Sequence, residues 1–286
     1  MTGHTEVRLL TMTPKEFTSK YTEADLLAIT PREFRNIVRK GEWIGSTHGL
    51  GRGYAVTDIV TIPKEYAYDF LIFCHRNPLT CPVVDITDVG SPHPPLLAPD
   101  ADLRTDLPRY IVYKDGQIVD EPTDIRKYWR DDLVTFLLGE AGSFQWSWKM
   151  ANIPFHSEGT FSTNIPLIPS GPFKGNVVVL CRLFISADDL VRAIQIASRH
   201  PLFHGPPIHI GDPAAIGIKD LSKPNVMHPG GKVTPRKPRE GEIAAFWPCF
   251  GTIRSLAFKV KLPLMIVDYP LHNFISDKLA EELAIL

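Results

Sequence analysis

Proline is the residue that most limits how this chain can fold. The 286 residues include 26 prolines, spread singly and in pairs beside apolar segments. The average frequency of proline in proteins is roughly 5%, so this chain has nearly twice the usual share. Each proline fixes a backbone dihedral and donates no backbone hydrogen bond, so it interrupts helices and central strands. We therefore expect short helices and strands joined by long, stiff and ordered loops.

The composition excludes some classes of partner. Hydrophobic residues make up 44% of the chain, and 31 basic residues nearly balance 32 acidic ones, for a net charge of -1. A chain of this length buries a sizeable core, and its charge favours neither nucleic acid nor an anionic membrane. The expected partner is a small-molecule substrate, whereas assembly into a homo-oligomer stays open.

The expected compartment is the cytoplasm. The N-terminus has no apolar signal region, and no run of about 18 apolar residues marks a membrane span. The four cysteines, Cys74, Cys81, Cys181 and Cys249, form no CxxC pair. They are expected to be reduced thiols. A mitochondrial or peroxisomal location stays open as an alternative.

Helices and strands alternate at both ends of the sequence. Helices are predicted at residues 13–40 (two helices), 63–75, 124–138, 186–200, 252–259 and 276–283. Strands are predicted at residues 54–62, 83–87, 161–167, 176–184, 208–210, 243–247 and 264–267, with a hairpin at 110–119. This alternation predicts an α/β fold with a mostly parallel sheet under helical cover. Because the hairpin interrupts it, we predict a main domain of residues 1–100 and 190–286 and an inserted, smaller α+β subdomain of residues 101–189.

The densest group of reactive side chains contains two histidines and an aspartate. His204, His209 and Asp212 lie within nine residues of a loop rich in glycine and proline. Imidazole transfers protons near neutral pH, so these residues are candidate catalytic groups. The alternative is that both histidines bond the loop backbone while Asp212 caps a helix. Their spacing fits no standard metal-ligand motif, and we predict no metal and no cofactor.

A second polar loop contains Arg104 and Asp106. This loop, residues 102–108, follows a proline-rich segment and places an arginine between two aspartates. A guanidinium in such a loop could bind a substrate carboxylate through two parallel hydrogen bonds. A surface ion pair within a turn is the alternative.

A glycine-rich loop spans residues 45–53. Its backbone could approach an anion closely, although an ordinary connecting loop explains the glycines equally well. The loop lacks both the glycine order of a dinucleotide site and the lysine of a P-loop, so no nucleotide site is predicted.

Two further segments offer reactive groups. Glu140 and Ser143 supply a carboxylate and a hydroxyl within residues 139–145. Cys249 follows a predicted strand and precedes a predicted helix, where a thiolate would be stabilised. A buried structural cysteine is the alternative, because free cysteine is often buried.

Several segments together resemble the hydro-lyase family that includes D-glutamate cyclase. Residues 204–221, HGPPIHIGDPAAIGIKDL, are similar to the signature of that family. Matching segments in the same order are residues 49–63, 66–87, 102–116, 163–179 and, more weakly, 246–252. The resemblance covers most of residues 41–268.

The resemblance implies an α/β fold of two intertwined subdomains and a lyase activity. One member of the family cyclises D-glutamate to 5-oxo-D-proline with loss of water. On that basis His204 or His209 would be the base, Asp212 or Glu140 the acid, and Arg104 or Arg182 would offset the charge of the attacked carboxyl. Asp106, Ser143, Asn164 and Cys249 complete the candidate substrate-binding set.

The sequence also departs from the family pattern. The family segment G-C-S-F-S-F-E has Glu140 in place of its Cys and Gln145 in place of its final Glu. Val56 and Asp58 replace a Gln and an Asn, and Arg254 replaces a Gln. These changes predict slow turnover of D-glutamate and a bulkier, less polar substrate, because an apolar wall disfavours unpaired polar groups.

The leading hypothesis is a lyase or cyclase that acts on a small carboxylate-bearing molecule, in specialised metabolism. An isomerase on the same scaffold and a non-catalytic small-molecule-binding protein are the alternatives. For an enzyme we predict that Arg104, His204, His209 and Asp212 converge on one pocket.

Overall fold

The computed structural model describes residues 20–226 and 235–285. The helix predicted from residue 13 begins outside these residues. The α-helices described are α1 Glu23–Leu27, α2 Pro31–Arg39, α3 Lys64–Arg76, α4 Gly142–Met150, α5 Ala187–Ser198 and α6 Gly251–Val260. The strands described are β1 Tyr54–Pro63, β2 Val83–Ile86, β3 Tyr110–Lys114, β4 Gln117–Asp120, β5 Leu133–Gly139, β6 Phe155–Pro166, β7 Asn176–Phe184, β8 His209–Ile210, β9 Ile243–Pro248, β10 Met265–Asp268 and β11 Phe274–Leu279.

The strands form two antiparallel sheets. The first has the order β2-β5-β1-β10-β3-β4, and β11 also pairs with β1. The second has the order β6-β7-β9-β8. Every strand pairing described within these sheets is antiparallel, so the predicted mostly parallel sheet is wrong.

The physical reason for this error lies in the first strand–helix–strand unit. β5 pairs antiparallel with both β1 and β2, so β1 and β2 point in the same direction. That is the arrangement a helix such as α3 produces between two strands. β5, which comes later in the chain, lies between them and converts the would-be parallel pair into two antiparallel ones. The alternation of strands and helices in the sequence predicts that a helix connects β1 to β2. It does not predict that a strand from later in the chain lies between them.

Two helix predictions are also wrong. The predicted helix at residues 124–138 is a 3₁₀ turn, Arg126–Tyr128, followed by β5. All seven residues of β5 are buried, so the strand lacks the polar alternation that separates strands from helices. The predicted final helix at residues 276–283 is instead the end of β11 and a 3₁₀ turn, Ala280–Leu283, because pairing with β1 overrides the local helix preference.

Other predicted elements are confirmed. The hairpin at residues 110–119 is β3–β4, and α3 fills the helix predicted at 63–75. Ser186 caps α5 by accepting a hydrogen bond from the Asp189 backbone N–H. Strands from residues 101–189 lie in both sheets, with β3 to β5 in the first and β6 and β7 in the second. The domain boundaries at residues 100 and 190 stay a prediction.

One apolar core joins the two sheets. Val60 and Phe136 of the first sheet belong to the same buried cluster as Val179 and Phe246 of the second. After β9 the chain enters α6 and then returns to the first sheet through β10. Residues at the start of α6 therefore lie beside both sheets. Within the described ranges, no helix is long and apolar enough to cross a bilayer.

Candidate functional site

An opening in the first sheet surrounds the Asp58 carboxyl group. On one side, β1 pairs with β10 at Val60 and with β11 at Thr57. The segment that connects β10 to β11 leaves the sheet between these two positions. Asp58 and the residue after it therefore lack a strand partner on that side. Side chains from the ends of the two strands replace the missing bonds. The Ile59 N–H donates to Asp268 Oδ1 at 2.9 Å.

Asp58 and Asp268 form a buried pair of acids, referred to below as the acid pair. Asp58 Oδ1 accepts a hydrogen bond from Asn273 Nδ2 at 2.8 Å. Arg254, on the first turn of α6, places Nη2 at 2.9 Å from Asp268 Oδ2 and at 3.3 Å from Asp58 Oδ1. Both aspartates are almost fully buried. One guanidinium therefore faces two carboxyl groups.

The surroundings of the acid pair favour its protonated form. Burial raises the pKa of Asp58 well above its usual range, and the negative charge of Asp268 raises it further. Burial also raises the pKa of Asp268, against the opposing effect of Arg254. Asp58 Oδ2 has no hydrogen-bonding partner in the described structure. A proton shared between the two carboxyls gives it one, because two like charges this close do not both ionise easily.

The acid pair borders a cavity of two connected chambers. The inner chamber, of about 300 Å³, is lined by residues that include Asp58, Ser157, Leu180, Cys249, Phe250 and Arg254. The outer chamber, of about 330 Å³, is lined by residues that include Thr47, Gly51, Arg52, Val56, Trp146 and Lys149. Both are lined by His48, Glu140, Gln145, Phe155 and Asn273. The cavity lies at the opening of the first sheet and against the second sheet.

Glu140 lies where the two chambers meet. It follows the last residue of β5, and its backbone N–H donates to the Val56 carbonyl at 3.0 Å. One carboxylate oxygen accepts a hydrogen bond from the Gly142 N–H at the start of α4. The sequence-based candidate Glu140 therefore lies in the cavity lining, and it shares the inner chamber with Asp58.

Cys249 is the other predicted residue in the chamber lining. It comes directly before α6, as the sequence suggested. Burial raises the pKa of its thiol to about 12, so the sulfur stays protonated near neutral pH. The structure thus favours a neutral thiol in the wall over a thiolate nucleophile.

The loop with the two histidines lies elsewhere. His204 is buried, and its Nδ1 is 2.8 Å from the Leu79 carbonyl oxygen. His209 Nε2 is 2.7 Å from the Asp212 carbonyl oxygen, and the Asp212 carboxylate accepts a hydrogen bond from the Ala214 N–H. Both histidines therefore contact backbone carbonyls and Asp212 caps a short 3₁₀ helix, as the structural alternative for this loop predicted. None of the three residues lines either chamber.

The loop with Arg104 and Asp106 is also separate from the cavity lining. Arg104 Nε and Nη2 lie 2.9 and 2.8 Å from the two carboxylate oxygens of Asp102. Asp106 accepts two hydrogen bonds from Arg39 of α2, at 2.8 and 2.6 Å. The structure does not bring Arg104 together with His204, His209 and Asp212 in the cavity. The substrate-binding and catalytic roles of these residues stay predictions.

Arg182 is fully buried behind the inner chamber. Its guanidinium carbon lies 5.0 Å from the ring centre of Trp247 and 5.5 Å from that of Trp148. Its three nitrogens have no hydrogen-bonding partner in the described structure. Burial lowers its pKa to about 10, while the charge of Glu140 opposes that shift. A cation therefore lies within electrostatic range of the cavity without a bonded counterion.

The remaining predicted residues have structural surroundings. Ser143 Oγ accepts a hydrogen bond from the Val56 N–H at 2.9 Å and lies 3.2 Å from the Val56 carbonyl. Asn164 is exposed on β6, next to Gly217. No three His, Cys, Asp or Glu side chains in the described ranges are grouped as metal ligands. The absence of a metal from the enzyme stays a prediction.

Sequence reasoning missed the acid pair and Arg254 as site residues. A usable signal was present, because Asp58 and Asp268 each end or interrupt an otherwise apolar strand. Charged residues are rarely buried without a partner, so an aspartate in such a run marks a structural or functional polar cluster.

A cavity bordered by a carboxyl with a raised pKa, a second carboxylate and a guanidinium is typical of an enzyme that moves protons. Comparison with known proteins agrees. The sequence profile of the D-glutamate cyclase family matches residues 134–277. Curated relatives bear the name "Putative hydro-lyase". That of Geobacillus kaustophilus is 44% identical over 258 residues, covering 88% of this chain and 95% of the relative. That of Bacillus subtilis, YcsI, is 43% identical, covering 88% and 98% respectively. The chain belongs to the D-glutamate cyclase family, and it is an enzyme of the lyase class.

The departures from the family pattern cluster at the cavity. Val56 lines the outer chamber, Asp58 and Arg254 line the inner one, and Glu140 and Gln145 line both. Substitutions on an exposed surface are mostly neutral, but these five positions surround the space that a ligand would occupy. Five positions at which the sequence departs from the family pattern therefore lie in the cavity lining, although Asp268 is not among them.

Proposed function

We propose that this enzyme removes water from a small carboxylate-bearing molecule, by elimination or ring closure, in the inner chamber. The observation that carries the proposal is Asp58 in the wall of that chamber, with its pKa raised by burial and by the charge of Asp268 beside it. A hydroxyl group leaves readily only when it receives a proton, and a carboxyl with a raised pKa is suited to supply it.

Arg254 and Glu140 complete the arrangement. When Asp58 gives up its proton, the acid pair becomes fully charged, and the Arg254 guanidinium 2.9 Å from Asp268 offsets that charge. Glu140 lines the same chamber and is a candidate for the base that removes a proton from the substrate. An acid and a base thus line one space.

For an elimination, Glu140 takes a proton from carbon, the carbon–carbon double bond forms, and the hydroxyl leaves with the proton of Asp58 as water. For a ring closure, an ammonium group and a carboxylate become an amide and one water. The nitrogen first passes one proton to Glu140, and its lone pair forms the C–N bond. The departing oxygen takes the proton of Asp58 and the proton held by Glu140 as the C–O bond breaks, and it leaves as water. The nitrogen then passes its second proton to the ionised Asp58, which restores both groups.

Arg182 supports binding of a carboxylate nearby. Its unpaired guanidinium is close enough to the inner chamber that the charge of Glu140, a lining residue, raises the pKa of Arg182 against the effect of burial. Positive potential from a desolvated arginine extends further than that of an exposed one, because the low-dielectric interior screens it less. The substrate carboxylate would be drawn toward this side of the chamber.

The test is a product assay by mass spectrometry. Purified protein is incubated with D-glutamate, L-glutamate and a set of β-hydroxy acids, and products that have lost one water are quantified. We expect one or more of the β-hydroxy acids to react faster than D-glutamate. Asp58→Asn should lower kcat by about 10²–10⁴-fold, as removal of a general acid does.

Asp88→Asn is the matched control, because Asp88 is exposed and does not line the cavity. It should react like the wild-type enzyme. An Asp58→Asn variant that keeps the wild-type kcat would contradict the role of the acid pair. If D-glutamate is turned over with a kcat/KM of about 10⁴ M⁻¹s⁻¹ or more, the ordinary family reaction applies and the preference for a larger substrate is wrong.

A further inference from the structure

We propose that the outer chamber is a binding site for an anionic group carried on an apolar body, and that this group is the far end of the substrate. The proposal rests on the proposed function only in assigning the reacting end to the inner chamber. The binding site itself is inferred from the lining of the outer chamber.

The glycine-rich loop builds one wall of the outer chamber. Thr47, His48, Gly49, Gly51 and Arg52 of this loop all line it. A side chain at Gly49 would meet no atom within 4 Å, so the backbone here borders open space. The loop that the sequence singled out for close approach to an anion therefore faces a cavity.

The charged groups at this chamber are mostly cationic. Arg52 of the loop and Lys149 of α4 both line it. Neither forms a salt bridge or side-chain hydrogen bond with any part of the chain that the structure describes; Lys149 instead stacks over the Trp146 ring at 5.2 Å. The imidazole of His48 adds a possible donor. Glu140 is the one carboxylate in the lining, and it lies at the boundary with the inner chamber.

The other walls are apolar. Trp146, Phe155, Ile153 and Val56 line the same space. Apolar walls gain from contact with a hydrocarbon body, whereas a pair of unpaired cations favours a carboxylate or a phosphate. A neutral sugar or a cationic amine would satisfy neither feature. The lining therefore selects an aryl or alkyl group that ends in an anion.

The size of the cavity supports a substrate that spans both chambers. The inner chamber of about 300 Å³ is at the lower end of the range of about 300–1,000 Å³ that is usual for small-molecule pockets. The outer chamber adds 330 Å³ and is continuous with the inner one through five shared residues. The space beyond the reacting end is therefore large enough for a second, recognised group.

The test measures binding of three probes by titration calorimetry at low salt. Phenyl phosphate and phenylacetate carry the two forms of anion on the same ring, and benzyl alcohol is their neutral analogue. We expect both anions to bind more tightly than benzyl alcohol, and to weaken as salt is added. The ratio of the two anion affinities shows whether the site prefers a phosphate or a carboxylate.

Arg52→Gln combined with Lys149→Gln should weaken binding of the preferred anion at least about tenfold, since two charge-assisted contacts are lost. Binding of benzyl alcohol should not change. Arg52→Lys should keep most of the affinity because it keeps the charge. Lys174→Gln is the matched control, because Lys174 is exposed and lines neither chamber.

Equal affinity for the anions and benzyl alcohol, or no loss in the double variant, would overturn the proposal. The outcome is independent of the acid pair, because Asp58→Asn should bind the probes as the wild-type protein does. If the wild-type protein binds the probes as expected but catalyses no loss of water, the proposed function of the inner chamber is wrong. If it catalyses the reaction but binds the anions no better than benzyl alcohol, the proposed anion site in the outer chamber is wrong.

Discussion

Two buried clusters in this enzyme combine aspartate with arginine, and they differ in how completely their polar atoms are bonded. Around Asp106, both carboxylate oxygens accept hydrogen bonds from Arg39, and one also accepts the Asp102 N–H at 2.9 Å. Around the acid pair, Asp58 Oδ2 and Arg254 Nε have no hydrogen-bonding partner in the described chain. The first cluster ties α2 to a loop, and the second borders a cavity.

The difference teaches which cluster can react. A buried charge whose bonds are all filled stabilises one conformation and has no capacity left for a ligand. A cluster with unfilled bonds and a raised pKa keeps a proton that it can donate. The sequence motif around Arg104 and Asp106 looked more like a substrate site, yet its groups are occupied by other parts of the protein.

The largest expected effect comes from the fully bonded cluster. Asp106→Asn should lower the free energy of unfolding by about 3–5 kcal/mol, because it removes the charge that Arg39 bonds and one of the two acids that the buried Arg35 faces, the other being Asp277. Urea denaturation measures the change, and Asp88→Asn serves as the control. The kcat of the folded variant should stay near that of the wild-type enzyme. A stable variant with a raised KM would instead support the predicted substrate-binding role of Asp106.

The next effect concerns the incompletely bonded cluster. Arg254→Gln keeps a hydrogen-bond donor but removes the cation that offsets the acid pair once Asp58 has given up its proton. We expect kcat to fall by about 10²–10³-fold, the usual result of losing one electrostatic contact in a reaction site. Steady-state kinetics on the best substrate measure it. A change confined to KM would mean that Arg254 only binds substrate.

A third, smaller effect is a pH dependence of stability. The carboxyl pKa of Asp58 lies above its value of 3.8 in an unfolded chain, so the folded state binds more protons. The free energy of unfolding should therefore fall as the pH rises from about 4 towards the raised pKa, by about 1.4 kcal/mol for each unit between the two pKa values.

Asp58→Asn removes one titrating group from the acid pair and should flatten this slope, so that the variant gains stability relative to the wild-type protein as the pH rises. Denaturation midpoints of both proteins across the pH range give the comparison. Identical slopes in the two proteins would show that Asp58 is already ionised in the folded state.

The sequence predicted many of the elements but not how the strands pair. Caps and turn residues are local, so α5, α3 and the β3–β4 hairpin followed from short segments. β5 did not, because it is buried on both faces and its apolar run fits a helix equally well. Sheet order depends on contacts between residues far apart in sequence, such as Thr57 with Phe274. No local pattern contains that information.

The sequence predicted a site residue only where the type of side chain alone suggested a role. Glu140 and Cys249 were named from their chemistry and lie in the cavity lining. Asp58 and Asp268 are 210 residues apart and become a pair only because β1 meets the gap between β10 and β11. The comparison with the family pattern pointed to Asp58 and Arg254 as altered positions, yet it gave no reason to place them together.

The smallest effect tests the remaining sequence-based candidate, Arg104. Its guanidinium is bonded to Asp102, and both side chains are partly exposed, so the pair contributes little to stability. We expect Arg104→Gln to change the free energy of unfolding by about 0–1 kcal/mol and kcat/KM by less than about tenfold. Both clusters discussed above should be unaffected, because Arg104 bonds neither Asp106 nor the acid pair. A larger fall in kcat/KM with unchanged stability would show that Arg104 releases Asp102 to bind substrate. Complete hydrogen bonding of an arginine would then no longer indicate that it has no role in the reaction.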